Sequence, residues 1–134
     1  MTWMREEKER FDPFFGLKGD NGSEILIIAG EPDEVESNFE NRDVEYRFPA
    51  YRGTLVQDEG RIEWEKILLT ENGDNFLAAL TTVRRIVGHW PIAVRATWKM
   101  RKSAKGRQYK SFTLERFSPP NWPDGLIDGP AETH

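Results

Sequence analysis

The stretch "RATWKMRKSAKGRQYKSFTLER", residues 95–116, contains eight Lys and Arg residues in a chain of 134 residues whose net charge is −4. Apolar and polar residues alternate on both sides of a small turn, which is the pattern of two half-buried strands joined as a hairpin. We predict these strands over 92–100 and 107–117. The three-residue loop 104–106 ends at Gly106, which can adopt the left-handed conformation that such a loop needs.

This loop fixes which residues of the hairpin lie opposite one another. The numbers of paired residues sum to 210, so Trp98 faces Phe112 on an apolar side and is predicted to pack in the core. Tyr109 is predicted to lie exposed beside Arg101 on the polar side. Like charges this close repel each other, so the cations are stabilised either by a bound polyanion or by simple solvation. The cations of the polar side and the tip are Lys99, Arg101, Lys102, Lys105, Arg107 and Lys110.

The charge of the chain is divided between two segments. Residues 20–45 contain nine Asp and Glu against one Arg, whereas residues 84–116 contain ten Lys and Arg against one Glu. Such a chain can present a positive surface to a polyanion although it is acidic overall. The alternative is that the two segments pack together and neutralise each other.

The remaining pattern predicts a mainly β domain with one amphipathic helix. The helix is expected to be capped by Asn72 or Asp74 and to end at Gly88. The predicted elements before the hairpin are strands over 23–39, 44–52 and 62–70, followed by the helix over 73–88.

The chain is divided by composition into an arm, a domain and a tail. Residues 1–22 are predicted as the arm, residues 23–117 as the domain, and residues 118–134, rich in Pro and Gly, as a flexible tail. Three aromatic residues of the arm are expected to dock on the domain or on a partner: Phe11, Phe14 and Phe15.

A second cluster of aromatic and basic residues lies in "EYRFPAYR", residues 45–52. Aromatic rings stack on unpaired bases of any identity and cations neutralise phosphates, so this interleaving is typical of single-stranded nucleic-acid binding. Tyr46 and Phe48 share a face, however, and the alternative is that they fill the core. For Trp64, on the next predicted strand, both roles stay open.

Several functional classes are excluded or disfavoured by composition. The absence of cysteine excludes disulfides and thiol nucleophiles and fits a reducing, cytoplasmic setting, and no apolar run is long enough to span a bilayer. The two histidines, His89 and His134, cannot assemble a His-based metal site or triad. The carboxylates of "GEPDEVES", residues 30–37, could hold magnesium in a nuclease, but such runs are usually solvated. We predict a protein without enzymatic activity or cofactor.

The order β-β-β-α-β-β resembles the OB-fold, a five-stranded Greek-key barrel whose helix lies between its third and fourth strands. The resemblance covers residues 23–117 and rests on the long bent first strand, the helix and the terminal hairpin. OB-fold single-stranded DNA-binding proteins of bacteriophages and archaea are similar, and they bind along strands two and three and clamp with a basic loop between strands four and five. The residues that the resemblance implies are Tyr46, Arg47, Tyr51 and Arg52 on strand two, Trp64 and Lys66 on strand three, and Arg101, Lys102, Lys105, Arg107 and Tyr109 in the clamp.

The function implied by this resemblance is binding and protection of single-stranded DNA with little sequence specificity. The expected settings are DNA replication, recombination or repair, on a nucleoid or a viral genome, with a homodimer or cooperative assembly on the DNA. RNA is an alternative ligand, because stacking and phosphate contacts barely distinguish it from DNA. The tail "DGLIDGPAETH", residues 124–134, has only three acids, unlike the concentrated acidic tails of bacterial single-strand binders. Recruitment of replication proteins would then depend on a short docking segment that contains Trp122, Leu126 and Ile127.

A protein-interaction module is the alternative from another functional class. In that case the hairpin cations would be solvated, and protein partners would bind the acidic segment 31–45 and the aromatic residues near both termini. Those residues are Trp3, Phe14, Phe15 and Trp122.

Overall fold

The computed structural model of the protein describes residues 14–36 and 44–126. Within these residues, one sheet curls into half a barrel, and a single helix packs against it. The strands lie in the spatial order β1-β5-β4-β2-β6-β7, and β3 pairs with β4 outside this path. The elements are β1 (Phe14–Phe15), β2 (Gly22–Ile28), β3 (Asp33–Glu36), β4 (Val44–Val56), β5 (Arg61–Leu69), α1 (Asp74–Val87), β6 (Ile92–Lys102) and β7 (Gln108–Arg116).

The mainly β, curled architecture confirms the coarse prediction, but the predicted five strands and their order are wrong. Two strands were not anticipated: β1 lies in the predicted arm, and the predicted first strand is divided into β2 and β3. The division coincides with Pro49 on the partner strand β4. Pairing with β2 stops at Ala50 and pairing with β3 resumes at Arg47, so that Pro49, which has no N–H to donate, lies between the two ladders.

The predicted hairpin is confirmed in register and in turn. β6 and β7 pair so that Trp98 lies opposite Phe112 and Arg101 opposite Tyr109. Gly106 has a φ of 83°, and its N–H donates to the carbonyl oxygen of Ser103 at 2.9 Å. Trp98 is only 5% exposed, as its place on the apolar side of the hairpin predicts.

The core lies between the inner face of the sheet and α1. Phe76 of α1 is fully buried, and its ring meets those of Phe48 and Phe112 edge-on, at centroid distances of 6.4 and 5.4 Å. The predicted C-terminal end of the helix is confirmed, since Gly88 has a φ of 85°. The predicted cap is wrong: Gly73 precedes α1 without a side-chain cap. Asn72 instead bonds the backbone of Tyr46, because a buried amide must satisfy its own donors and acceptors.

Residues 14–18 join the two edges of the curled sheet. β1 pairs in parallel with the end of β5, and Leu17 is buried. The carbonyl oxygen of Leu17 accepts a hydrogen bond from Lys110 Nζ of β7 at 2.6 Å. Phe15 packs against the core as expected, whereas Phe14 is 63% exposed; Phe11 lies outside the described residues.

The contact between β2 and β6 leaves no room for a side chain at Gly22. A Cβ atom there would lie 2.2 Å from Trp98 Cζ2, and the buried indole cannot move without disturbing the core. We therefore expect Gly22→Ala to lower the free energy of unfolding by about 1–3 kcal/mol in a urea titration. Gly16→Ala is the control, because its Cβ would meet no atom closer than 3.7 Å. Equal stabilities of the two variants would contradict this packing.

Candidate nucleic-acid interface

The face of the sheet opposite the core, here called the outer face, brings together seven of the predicted site residues. Alternation along each strand places the core residues Phe48, Ile67 and Val94 on the inner face and their sequence neighbours on the outer face. Tyr51 lies directly opposite Lys66, as Arg101 does opposite Tyr109. The predicted site residues on the outer face are Arg47, Tyr51, Trp64, Lys66, Lys99, Arg101 and Tyr109.

The distal half of the β6–β7 hairpin extends beyond its neighbour β2. β2 begins at Gly22, which lies opposite Trp98, so among the described strands residues 99–111 form ladder pairs only within the hairpin. The tip is held by Ser103, whose N–H donates to the carbonyl oxygen of Arg107 and whose hydroxyl accepts from the N–H of Arg107. The protruding basic side chains are therefore presented on a well-defined turn.

These protruding cations are not neutralised by the part of the protein that the structure describes. None of them forms an ion pair with a carboxylate within residues 14–36 and 44–126, although all are exposed. By contrast, Arg61 at the tip of the β4–β5 hairpin bonds both Glu59 and Glu63. The unpaired residues are Lys99, Arg101, Lys102, Lys105 and Arg107.

Tyr109 supplies an accessible ring beside these charges. It is 39% exposed and lies opposite Arg101 on the outer face. A phenol ring next to a guanidinium group can stack on a base while the cation contacts a phosphate. This end of the outer face therefore provides both kinds of contact that single-stranded nucleic acid requires.

Arg52, a predicted site residue, is instead bound within the protein. It lies on the inner face, where its Nε and Nη2 atoms donate to the two carboxylate oxygens of Glu24 at 3.0 and 3.2 Å. Its guanidinium carbon also lies 4.8 Å from the centre of the Phe15 ring. The hydrogen bond to Glu24 raises the pKa of Arg52 above its ordinary value, and the charges of Glu24 and Glu65 raise it further, whereas burial lowers it. This side chain fastens β1 to β4 and β2.

Three other predicted site residues also have partners inside the protein. Tyr46 packs against the core, which was the predicted alternative to base stacking because Tyr46 and Phe48 share a face. Arg47 pairs with Glu45 and lies 4.8 Å from the centre of the Phe14 ring. Lys110 is half-buried and donates to the carbonyl oxygen of Leu17, so it closes the sheet edge.

Residues 117–126, which include the first part of the predicted tail (118–134), are docked on the outer face. The N–H of Phe117 donates to the carbonyl oxygen of Ala93 on β6, and four residues later Asn121 reaches β5. The Asn121 side chain bonds both the N–H and the carbonyl oxygen of Ile62 at 2.8 Å, and its backbone oxygen accepts from Trp64 Nε1 at 3.0 Å. The segment thus covers the β4–β5 half of the outer face and holds Trp64.

Sequence reasoning missed the role of this segment. Ile27, Ile62 and Ala93 are buried on the outer face, outside the main core cluster. The available signal was "PPNWP", residues 119–123, since prolines fix an extended backbone and Asn can bond a strand edge in place of another strand.

The double hydrogen bond of Asn121 predicts a measurable effect on stability. Asn121→Ala leaves the N–H and the carbonyl oxygen of Ile62 without their protein partner, so the free energy of unfolding should fall by about 1–3 kcal/mol. The control is Asn75→Ala, because the exposed Asn75 makes one bond, to the carbonyl oxygen of Lys110, and should change stability by less than about 1 kcal/mol. Urea titrations measure both, and the docked segment is contradicted if Asn121→Ala is as stable as the native chain.

Metal-binding groups and membrane-spanning helices were looked for among the alternatives to a nucleic-acid interface. Residues 14–36 and 44–126 contain no group of three or more His, Asp or Glu residues placed to hold a metal ion. Within the same residues, no helix has the length and apolarity needed to cross a membrane. Comparison of the chain with protein-family models, curated proteins and solved structures gives no match.

Proposed function

We propose that the protein binds single-stranded DNA without enzymatic activity and with little sequence specificity. The observation that carries the proposal is the exposed cation cluster of the β6–β7 hairpin, which has no counter-charge among the described residues and surrounds the exposed ring of Tyr109. Water and dissolved salt only screen the mutual repulsion of these exposed charges, whereas a bound phosphate chain supplies the opposite charge.

The topology supports an OB-fold-like barrel as the scaffold. β6 lies beside β2, and β4 and β5 follow on the other side, so the spatial order is β6-β2-β4-β5. This is the order of a Greek key, in which the fourth strand returns to lie beside the first. OB-fold barrels are partly open, as is this sheet, whose edges are joined by residues 14–18 rather than by a ladder between β5 and β7 in the described residues.

The path that we propose for the nucleic acid follows the outer face of β6 and β7. Arg95, Lys99 and Arg101 lie on this face of β6 and are all exposed. The seven residues from Arg95 to Arg101 span about 20 Å. The β4–β5 half is the weaker candidate, because residues 117–126 cover it and hold Trp64, which leaves Tyr51 and Lys66 at its margin.

Binding along this path would be largely independent of sequence. The cations contact phosphates, which are the same at every position, and Tyr109 stacks on whichever base reaches it, contributing about 1–3 kcal/mol. Bases held in this way are kept from pairing with a second strand. The proposed role is therefore to protect single strands during replication, recombination or repair, in a cell or on a viral genome.

The test is a titration of fluorescein-labelled oligo-dT at several salt concentrations. If about five cations contact phosphates, the logarithm of the affinity should fall with the logarithm of the salt concentration with a slope of about −3.5. Equal-length RNA and duplex DNA are the comparison ligands. Binding that does not depend on salt, or a preference for the duplex, would contradict the proposal.

A protein-interaction module is the second candidate, and it is favoured by the acidic strand β3. Asp33, Glu34 and Glu36 are exposed, and β3 pairs only with β4 among the described strands, so it offers an edge and a charge opposite to that of the hairpin. A second copy of the chain could use this complementarity to form a dimer or to assemble along DNA. Light scattering with and without oligo-dT tests for this dimer or assembly of the chain. A monomer in both conditions would contradict such self-association.

A further inference from the structure

The outer face of β6 and β7 ends in a polar pocket at the opposite end from the hairpin tip. The pocket has a volume of about 310 Å³ and lies where α1 ends, β6 begins and the docked segment leaves β7. Ala93 and Phe117, which lie opposite each other, continue the row that contains Arg101, Lys99 and Arg95. A strand bound along the proposed path is therefore directed towards this pocket. Besides these two residues, the lining includes His89, Arg116, Ser118 and Trp122.

An imidazole and two aromatic rings line the pocket together. His89, Phe117 and Trp122 are half-buried and all contribute to its lining. The rings of Phe117 and Trp122 make no aromatic or cation–π contact with another described residue, in contrast to Trp90, which Arg84 covers. The pocket thus offers planar side chains on which a flat ligand can pack.

The charges around the pocket indicate how a ligand would be oriented. Arg116 is exposed and forms no ion pair with a described carboxylate, and none of the described Asp and Glu residues lines the pocket. The C-terminal end of α1 forms another wall, at Val87, and the negative end of its dipole disfavours an anion there. An anionic group is therefore favoured on the Arg116 side, and a neutral ring that carries hydrogen-bonding atoms is favoured next to His89.

We propose that this pocket binds one nucleoside phosphate, with its base against Trp122, Phe117 and His89 and its phosphate against Arg116. A base is a flat ring that can stack on the aromatic side chains of the lining. The inference rests on the proposed function, because the terminal nucleotide of a bound strand and a free nucleotide present the same group.

The experiment is a titration of the full ¹⁵N-labelled chain with thymidine monophosphate, followed by nuclear magnetic resonance. The indole N–H of Trp122 and the amide N–H groups of Phe117 and Ser118 should shift, whereas the indole N–H of the buried Trp98 should not. Arg116→Gln, and the use of thymidine without its phosphate, should each weaken binding about tenfold. His89→Ala should also weaken it, and Arg85→Gln is the control, since the exposed Arg85 does not line the pocket.

The outcomes separate this inference from the proposed function. Absence of shifts at the pocket with about 10 mM nucleotide overturns the inference, and salt-sensitive oligo-dT binding in the same sample would leave the proposed function standing. Shifts at the pocket without oligo-dT binding support the site and refute the proposed function. Oligo-dT with a terminal phosphate can be compared with oligo-dT that ends in a hydroxyl. If the phosphorylated form binds more tightly, and Arg116→Gln abolishes the difference, the strand end is the ligand. Equal affinities identify a free nucleotide.

Discussion

Replacement of Lys102, Lys105 and Arg107 by glutamate is expected to weaken oligo-dT binding at least about 100-fold at moderate salt. Each cation that contacts a phosphate of a single strand contributes through counterion release, and three such contacts together account for about two powers of ten in affinity near 0.1 M salt. The reversed charges add repulsion. The fold should be unaffected, because these side chains are exposed and form no ion pair with another described residue.

A variant with the same change in net charge provides the control for this prediction. Lys18 and Arg85 are exposed, lie outside the hairpin and form no ion pair with a described carboxylate. Their replacement by glutamate, together with Gln57→Glu and Ala78→Glu at two exposed neutral positions, changes the charge equally. Binding should then weaken less than about tenfold, through the long-range field alone. Equal losses of oligo-dT affinity in the two variants would indicate a response to overall charge. If the hairpin variant kept its oligo-dT affinity and lost only a protein partner in a pull-down, the result would favour the interaction module.

Removal of the Phe76 ring is expected to have the largest effect on stability. Phe76→Ala should lower the free energy of unfolding by about 3–5 kcal/mol, because the fully buried ring joins α1 to Phe48 of β4 and Phe112 of β7, and its loss leaves a cavity. Ile86→Ala on the same helix is the control, since Ile86 is 67% exposed and should change stability by less than about 0.5 kcal/mol. A small effect of Phe76→Ala would contradict the helix-sheet core.

The parts of the fold that could be predicted from sequence depend on local patterns. In the terminal hairpin, alternation and one glycine sufficed to predict the pairing of Trp98 with Phe112, because the loop length alone fixes the register. The buried stripe of α1 and its glycine end were predictable for the same reason, since the helical period and the left-handed Gly88 are properties of consecutive residues.

The parts that could not be predicted depend on distant residues. Nothing local in Phe14 and Phe15 indicates that they pair with Leu68 and Leu69, more than fifty positions away. The break between β2 and β3 becomes intelligible only when Pro49 is placed opposite it. Strand pairing between remote segments depends on tertiary packing, and local patterns in a single sequence do not predict it.

The candidate site shows the same division between local and distant information. The cations at the hairpin tip form no ion pair with a described carboxylate, because the tip lies at a turn beyond the end of β2. From the sequence, Arg52 was predicted to contact nucleic acid just as the hairpin cations were. The curvature of the sheet instead places it against Glu24 and Phe15. Trp64 is likewise held by Asn121, 57 positions further along the chain.

The central claim is that hairpin cations contact the phosphates of a single strand, and the salt dependence of binding tests it most directly. Titrations of oligo-dT at a series of salt concentrations should be compared between the native chain and the variant with Lys102, Lys105 and Arg107 replaced by glutamine. Loss of three phosphate contacts predicts that the slope of log affinity against log salt becomes shallower by about 2. An unchanged slope would mean that these side chains do not contact phosphates, and would contradict the account.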